Sequence, residues 1–169
     1  DLSGPKIRIG DFVDGAITLK KGATFTLTTK KVPGTVDRVY LNYSKLPREV
    51  KKGQDILLND GKVRLHVEKT TPTDIVTTVV VGGMIRSRRG VNVPGADLSI
   101  PAITAKDKLD IVFGKEVGVN FVTLSFVRHA RDIENLRTLL GDTANEVGII
   151  AKIETTQAVE NIDAIIAAA

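Results

Sequence analysis

The stretch Val147-Gly148-Ile149-Ile150-Ala151-Lys152-Ile153-Glu154 decides the predicted fold. Its first five residues are apolar or small, as in a buried parallel strand, and a helical pattern follows from Thr155 to Ala168. Lys152 and Glu154 stand two residues apart and therefore share one face of the strand. A strand that leads directly into a helix is where α/β barrels place catalytic groups, so the two side chains form a candidate catalytic pair. The alternative is a surface ion pair, which is common and contributes little to stability.

The same alternation of strand and helix runs through the chain after residue 98. Thr104 and Asp107 form a capping-box pattern, and Phe121 to Phe126 predicts a buried strand. Apolar residues at helical spacing mark three stripes: Leu109, Val112, Phe113 and Val117; Ile133, Leu136, Leu139 and Leu140; and Val159, Ile162, Ile165 and Ile166. This predicts βα units around a parallel sheet. Two strands and three helices are too few for a (β/α)₈ barrel of about 250 residues, so we expect an excised part of a longer protein.

Before residue 98 the pattern is all-β. Turn dipeptides recur every eight to twelve residues, and short β-branched or alternating runs lie between them: 24 to 29, 39 to 43, 63 to 67 and 75 to 81. The strongest hairpin signal is Asp60-Gly61, since a type I′ turn needs positive φ at both central positions. The predicted fold class is therefore α/β plus all-β.

Composition excludes several classes of protein. The 169 residues are 42% hydrophobic and 26% charged, which is ordinary for a globular chain. There is no cysteine, so disulfides and thiolate metal sites are excluded, and a reducing compartment is the easier location. His66 and His129 stand alone, without a second ligand at metal-binding spacing. Neither a membrane-spanning run nor a signal peptide is indicated, and we expect a cytoplasmic protein.

The net charge of +4 is modest, with one dense basic group at Arg86, Arg88 and Arg89. This leaves open a second hypothesis, a non-enzymatic basic β module that binds a polyanion, such as nucleic acid, through the loop from Arg86 to Arg89. Aromatic residues make up only 4% of the chain, so stacking platforms for bases are few. A solvated loop is the third interpretation.

Five segments, in order, resemble the pyruvate kinase family. They are Asp1-Leu2-Ser3-Gly4-Pro5-Lys6-Ile7-Arg8, Leu58-Asn59-Asp60-Gly61, Arg88-Arg89-Gly90-Val91-Asn92-Val93-Pro94-Gly95, Ser125-Phe126-Val127-Arg128 and Ile150-Ala151-Lys152-Ile153-Glu154. The resemblance covers essentially the whole chain. It implies a partial (β/α)₈ TIM barrel with an inserted all-β, barrel-like lid domain. The implied division is barrel strand end and hinge at 1–9, lid at 10–97, and partial barrel at 98–169.

The resemblance also implies a reaction: phosphoryl transfer from phosphoenolpyruvate to ADP, giving pyruvate and ATP in glycolysis. Lys152 and Arg8 would be catalytic, and Glu154 would bind Mg²⁺ or Mn²⁺. Arg8, Arg89 and Asp60 would contact the nucleotide. The second carboxylate that would bind the metal together with Glu154 is expected outside this chain, so residues 1–169 alone are expected to be inactive. The implied whole protein is a homotetramer that binds neither nucleic acid nor membrane.

Two positions depart from relatives that require K⁺. Those relatives carry Asp-Thr, whose oxygens help to hold the ion, and a glutamate four residues after the threonine, whereas here Leu2 replaces the threonine and Lys6 replaces the glutamate. Leu2 offers no side-chain oxygen, and the Lys6 ammonium could supply the missing positive charge. Asp1 would be the remnant of the K⁺ site. The pattern resembles the K⁺-independent branch of the family, so K⁺ is not expected to be required.

Overall fold

A computed structural model describes residues 1–96 and 98–169, which form two compact units. The α/β unit consists of Asp1–Pro5 with Ser99–Ala169, and the β unit consists of Lys6–Leu98. The predicted domain limits at 9/10 and 97/98 remain predictions, and Asp97 lies outside the described residues.

The β unit contains eight of the described strands and one short helix. A six-stranded sheet has the order β3-β2-β6-β5-β4-β8, and β1 pairs with β7 in a separate antiparallel pair. Alternate residues of the central strands face the core, so Val63, Leu65 and Val67 are fully buried. The elements are β1 (Ala16–Leu19), β2 (Thr24–Thr28), β3 (Arg38–Tyr40), α1 (Leu46–Glu49), β4 (Asp55–Leu58), β5 (Val63–Thr70), β6 (Asp74–Val81), β7 (Gly83–Arg86) and β8 (Val91–Asn92).

The predicted hairpin at Asp60-Gly61 is confirmed. β4 and β5 pair in antiparallel register, with Leu58 opposite Val63, and Lys62 N–H donates to the Asn59 carbonyl at 3.2 Å. Asp60 and Gly61, the central residues of the turn, have φ of 57° and 82°. The turn thus has the positive φ at both central positions that the sequence predicted.

Asp74, the first residue of β6, is expected to make the free energy of unfolding of the β unit depend on pH. Its pKa lies below the ordinary 3.8 because hydroxyls, first that of Thr28 and then those of Thr73 and Thr71, bond to the charged carboxylate. A lowered folded pKa means that this stabilisation is complete above the unfolded pKa and is lost as pH falls through the folded pKa. We expect Asp74→Asn to lower the free energy of unfolding at pH 6 and to flatten its fall between about pH 5 and pH 2. Urea unfolding followed by circular dichroism measures both.

Asp14→Asn, at an exposed turn, is the matched control for Asp74→Asn. Equal pH dependence in Asp74→Asn and the unsubstituted chain would contradict the assignment.

The α/β unit consists of βα units. β9 and β10 are parallel, with Thr123 opposite Ile150 and Leu124 opposite Ala151, and α3 connects them. Leu2 adds a parallel bridge to Leu124 on the same sheet. The elements are α2 (Ala105–Glu116), β9 (Phe121–Leu124), α3 (Ala130–Leu140), a 3₁₀ turn (Gly141–Asn145), β10 (Gly148–Ala151), α4 (Thr156–Glu160) and α5 (Ile162–Ala168).

Two details of the helices differ from the sequence prediction. The single helix predicted from Thr155 to Ala168 is two helices, broken at Asn161, whose side-chain amide donates to the Arg128 and Gln157 carbonyls. The predicted apolar stripe of α2 is exposed: Leu109, Val112, Phe113 and Val117 are 54–71% accessible.

The buried face of α2 is a different one. Asp107, Ile111 and Gly114 are buried instead: the Asp107 carboxylate caps the helix and accepts the Gly4 N–H, and Gly114 lies close to Val119. The capping box of Thr104 and Asp107 is itself confirmed.

Throughout residues 1–96 and 98–169, none of the helices combines the length and the apolar character needed to cross a membrane.

Candidate active site

Lys152 and Glu154 lie together, as predicted, at the carboxyl end of β10. The strand ends at Ala151, and Lys152 N–H continues its hydrogen bonding by donating to the Leu124 carbonyl at 3.0 Å. The Nζ of Lys152 is 3.3 Å from Oε1 of Glu154. Both side chains are partly exposed, at 37% and 32%, so they are open to a ligand while their backbone is anchored in the sheet.

Asp1 and Ser125 complete the surroundings of the Lys152 ammonium. Its Nζ lies 3.8 Å from Oδ2 of Asp1 and 3.1 Å from Oγ of Ser125. Ser125 directly follows β9, in the position beside Lys152 that the parallel register dictates. Ser125 lies in one of the segments that resemble the family, but the sequence alone predicts no role for it. The signal that could have found it was its place immediately after the neighbouring strand.

Phe126 joins this group through its main chain. Its N–H donates to Oε2 of Glu154 at 2.9 Å, and its φ is 54°, a left-handed conformation that is uncommon for a bulky residue. Such strain is often found at functional sites. Here its visible effect is to hold the Glu154 carboxylate at the end of the sheet.

Asp107 anchors the segment that carries Asp1. This carboxylate is fully buried and accepts the Gly4 N–H at 3.3 Å in addition to its capping bonds to Thr104. Gly4 has φ of 62°, and a Cβ at this position would lie 3.2 Å from the Phe126 ring, so glycine suits the position. Leu2 N–H donates to the Thr123 carbonyl at 2.8 Å. The position of Asp1 therefore depends on a helix cap and on the sheet.

Arg8 and Arg89 lie on adjacent segments of the β unit. Arg8 forms an antiparallel bridge with Gly90, Ile9 N–H donates to the Arg89 carbonyl at 3.0 Å, and Nη1 of Arg8 donates to the Arg88 carbonyl at 2.8 Å. The turn with Asp60 is joined to the same segment, since Asn59 N–H donates to the Gly90 carbonyl at 3.2 Å. The three residues predicted to contact a nucleotide thus come from connected segments of one unit.

Arg88 is paired with a carboxylate. Its Nε and Nη2 donate to the two oxygens of Asp11 at 2.8 and 3.0 Å, which lowers the pKa of Asp11 and raises that of Arg88. Asp11 offsets one positive charge of the basic group on which the polyanion hypothesis depends. Arg86 and Arg89 are exposed.

Lys6 also belongs to the β unit. Its side chain is exposed, and its carbonyl accepts a hydrogen bond from the Asn42 amide at 3.1 Å. Leu2, the other departure from the K⁺-binding pattern, is buried in the core of the α/β unit.

The α/β unit offers carboxylate oxygen, the kind of ligand that a hard divalent cation prefers. Glu154 is a partly exposed carboxylate, and Mg²⁺ binds through one or two carboxylates together with water and substrate oxygens. No group of three or more His, Cys, Asp or Glu side chains suited to a metal is found among residues 1–96 and 98–169. Glu154 would therefore supply only part of a coordination shell.

The fold and the site together define a class. Parallel βα units with an ammonium and a carboxylate directly after the carboxyl end of a strand, here Lys152 and Glu154 after β10, are typical of α/β enzymes of the barrel type, and the Asp1 carboxylate lies beside the same ammonium. A family model described as the barrel domain of pyruvate kinase matches residues 1–169. The chain belongs to the pyruvate kinase family, and its parallel units fit part of a barrel.

Individual relatives agree with the family model. The chain is 46% identical to the pyruvate kinase of Thermotoga maritima over 166 residues, 40% identical to that of Corynebacterium glutamicum over 168, and 42% identical to that of Geobacillus stearothermophilus over 172. These alignments cover 98–100% of the chain but 36%, 35% and 29% of the relatives. The chain thus spans about a third of their length. None of these relatives favours the polyanion-binding hypothesis.

Proposed function

We propose that this chain is part of an enzyme that transfers a phosphoryl group from phosphoenolpyruvate to ADP, giving pyruvate and ATP in glycolysis. The observation that carries the proposal is the convergence of Lys152, Glu154, Asp1 and Ser125 at the ends of parallel strands in a chain of this family. The proposed architecture is part of a (β/α)₈ barrel with the β unit as an inserted lid. We also propose, from the family likeness, a cytoplasmic homotetramer.

Lys152 is the proposed catalytic cation. In phosphoryl transfer most of the catalysis is positioning and stabilisation of charge. An ammonium beside the transferring group would stabilise negative charge that grows on the phosphoryl and enolate oxygens in the transition state. Lys152 suits this role because its backbone is held by β9 while its side chain remains partly exposed.

Glu154 is the proposed ligand of Mg²⁺ or Mn²⁺. A bound divalent cation would supply charge neutralisation and orientation for the substrate oxygens. The contribution of the chain is the fixed carboxylate, since the Phe126 N–H holds Oε2 and leaves the other oxygen beside Lys152.

Arg8, Arg89 and Asp60 are the proposed nucleotide contacts. A guanidinium presents a planar fork of donors that matches phosphate oxygens, and Arg8 is oriented by its bond to the Arg88 carbonyl. Arg89 adds a second cation on the neighbouring segment. Asp60 lies in the turn that is tied to Gly90.

A coupled assay of pyruvate formation from phosphoenolpyruvate and ADP with Mg²⁺ tests the proposal. We expect turnover by the full-length protein that carries this sequence. Residues 1–169 expressed alone should be inactive, because the described residues hold no complete metal-binding group. An inactive full-length protein, with K⁺ also supplied, would contradict the proposed reaction.

The same assay tests K⁺ dependence. We expect equal kcat in Na⁺ and K⁺ buffers, because Leu2 has no side-chain oxygen and its carbonyl already accepts the Ser125 hydroxyl at 2.8 Å. The Lys6 ammonium would replace the charge of the ion. Lys6→Glu should then lower kcat in Na⁺, with partial recovery in K⁺. A strong K⁺ requirement in the unsubstituted enzyme would refute this proposal, and Lys31→Glu, at an exposed lysine outside the helices and strands, is the control.

A further inference from the structure

Ser125 is a nearly buried hydroxyl at the carboxyl end of β9, with 2% of its surface exposed. Its Oγ lies 3.1 Å from Nζ of Lys152, 2.8 Å from the Leu2 carbonyl oxygen and 3.2 Å from Oδ1 of Asp1. Burying a hydroxyl is unfavourable unless it forms hydrogen bonds. These three contacts satisfy the hydrogen-bonding capacity of the Ser125 hydroxyl. One of them is to the Lys152 ammonium itself, and the other two are to Leu2 and Asp1.

The chemistry of the partners decides the direction of each bond. An ammonium can only donate, a carbonyl oxygen can only accept, and a serine hydroxyl has one proton and two lone pairs. The Ser125 proton must therefore point toward the Leu2 carbonyl or Asp1, and its lone pairs face Lys152. Ser125 is thus an acceptor for the ammonium, and the main chain of Leu2 helps to hold it in that orientation.

We propose that Ser125 is the positioning residue of Lys152. The inference rests on the proposed role of Lys152 in phosphoryl transfer. Glu154 and Asp1 also hold the ammonium, at 3.3 and 3.8 Å, but their negative charges offset the positive charge that the reaction uses. A neutral acceptor holds Nζ without cancelling its charge. It also remains available to Lys152 when Glu154 shares its charge with a divalent cation.

The backbone beside Ser125 supports this role. Phe126, the next residue, adopts φ of 54° and donates its N–H to Glu154. The dipeptide therefore contacts both members of the candidate pair, through the Ser125 hydroxyl and the Phe126 N–H. Gly4 packs closely against Ser125 and Phe126, which restricts movement of the backbone of these two residues.

Ser125→Ala in the full-length enzyme is the test. We expect kcat to fall about 10- to 100-fold, the effect of losing one hydrogen bond to a charged group, with KM for ADP changed less than about 2-fold. The freed Lys152 amine should react several-fold faster with trinitrobenzenesulfonate, measured by mass spectrometry of its peptide. Ser125→Thr, which keeps the hydroxyl, should restore most of both values. Thr138→Ala, an exposed hydroxyl on α3, should change neither.

Each outcome decides the proposal. An unchanged labelling rate of Lys152 in Ser125→Ala would overturn it, even if kcat fell, because the hydroxyl would then act only through packing. Faster labelling with unchanged kcat would also overturn it, since the contact would not serve the reaction. If the unsubstituted enzyme makes no pyruvate, the proposed reaction fails separately, and the labelling comparison still decides whether Ser125 holds Lys152.

Discussion

Lys152→Met in the full-length enzyme is expected to lower kcat by several orders of magnitude and to leave nucleotide affinity nearly unchanged. Removing one neutral donor that stabilises a transition state costs about 10²- to 10³-fold, and here a full positive charge is lost. Methionine keeps the unbranched apolar stem of lysine, so the strand end should keep its packing. Steady-state kinetics with varied ADP measure kcat and KM, and equilibrium dialysis measures ADP binding.

Lys108→Met is the matched control for Lys152→Met. Lys108 is an exposed lysine on α2 in the same unit, and its substitution should leave kcat within about 2-fold. Retained turnover in Lys152→Met would remove Lys152 from the mechanism. A parallel loss of ADP binding would indicate instead that the substitution disturbs the whole site.

Glu154→Gln is expected to have the second large effect, a loss of affinity for divalent cations. The amide oxygen of glutamine can still accept the Phe126 N–H, so the local structure should persist while the negative charge is lost. Because divalent cations bind to deprotonated carboxylates, we expect Mn²⁺ affinity to fall by at least about 100-fold, with a matching loss of turnover at low Mn²⁺. Electron paramagnetic resonance of free Mn²⁺ gives the affinity without relying on activity.

Glu160→Gln removes an equivalent charge from an exposed position on α4 and should leave Mn²⁺ affinity unchanged. Unaltered Mn²⁺ binding in Glu154→Gln would mean that Glu154 is not a metal ligand. The carboxylate would then serve as the ion-pair partner of Lys152.

Much of the candidate site could be predicted because it depends on short-range geometry. Lys152 and Glu154 are only two residues apart, immediately after β10 ends at Ala151, so the chain itself keeps the two side chains near each other, and Nζ lies 3.3 Å from Oε1. Ser125 could not be assigned in the same way. Its role depends on the register of a neighbouring strand and on the Leu2 carbonyl, which lies 123 residues away in sequence.

The helices show the same division. Hydrophobic periodicity found α2 and α3, but the apolar stripe that it selected on α2 is exposed, and the buried residues of α2 are Asp107, Ile111 and Gly114. It also extended one helix across Asn161, whose bond to the Arg128 carbonyl no local pattern reveals. Periodicity records which residues could be buried, whereas neighbouring elements decide which of them are.

The sequence by itself determined the two kinds of unit, the hairpin at Asp60-Gly61, the capping box of α2 and the pairing of Lys152 with Glu154. Each of these depends on residues a few positions apart, where backbone geometry allows few alternatives. Only the tertiary structure decided that Asp1 and Ser125 surround Lys152 and that Asp107 holds Gly4, a contact across 103 residues of sequence. Such contacts depend on how separate segments pack, because burial requires each polar group to find a partner wherever the fold brings one near.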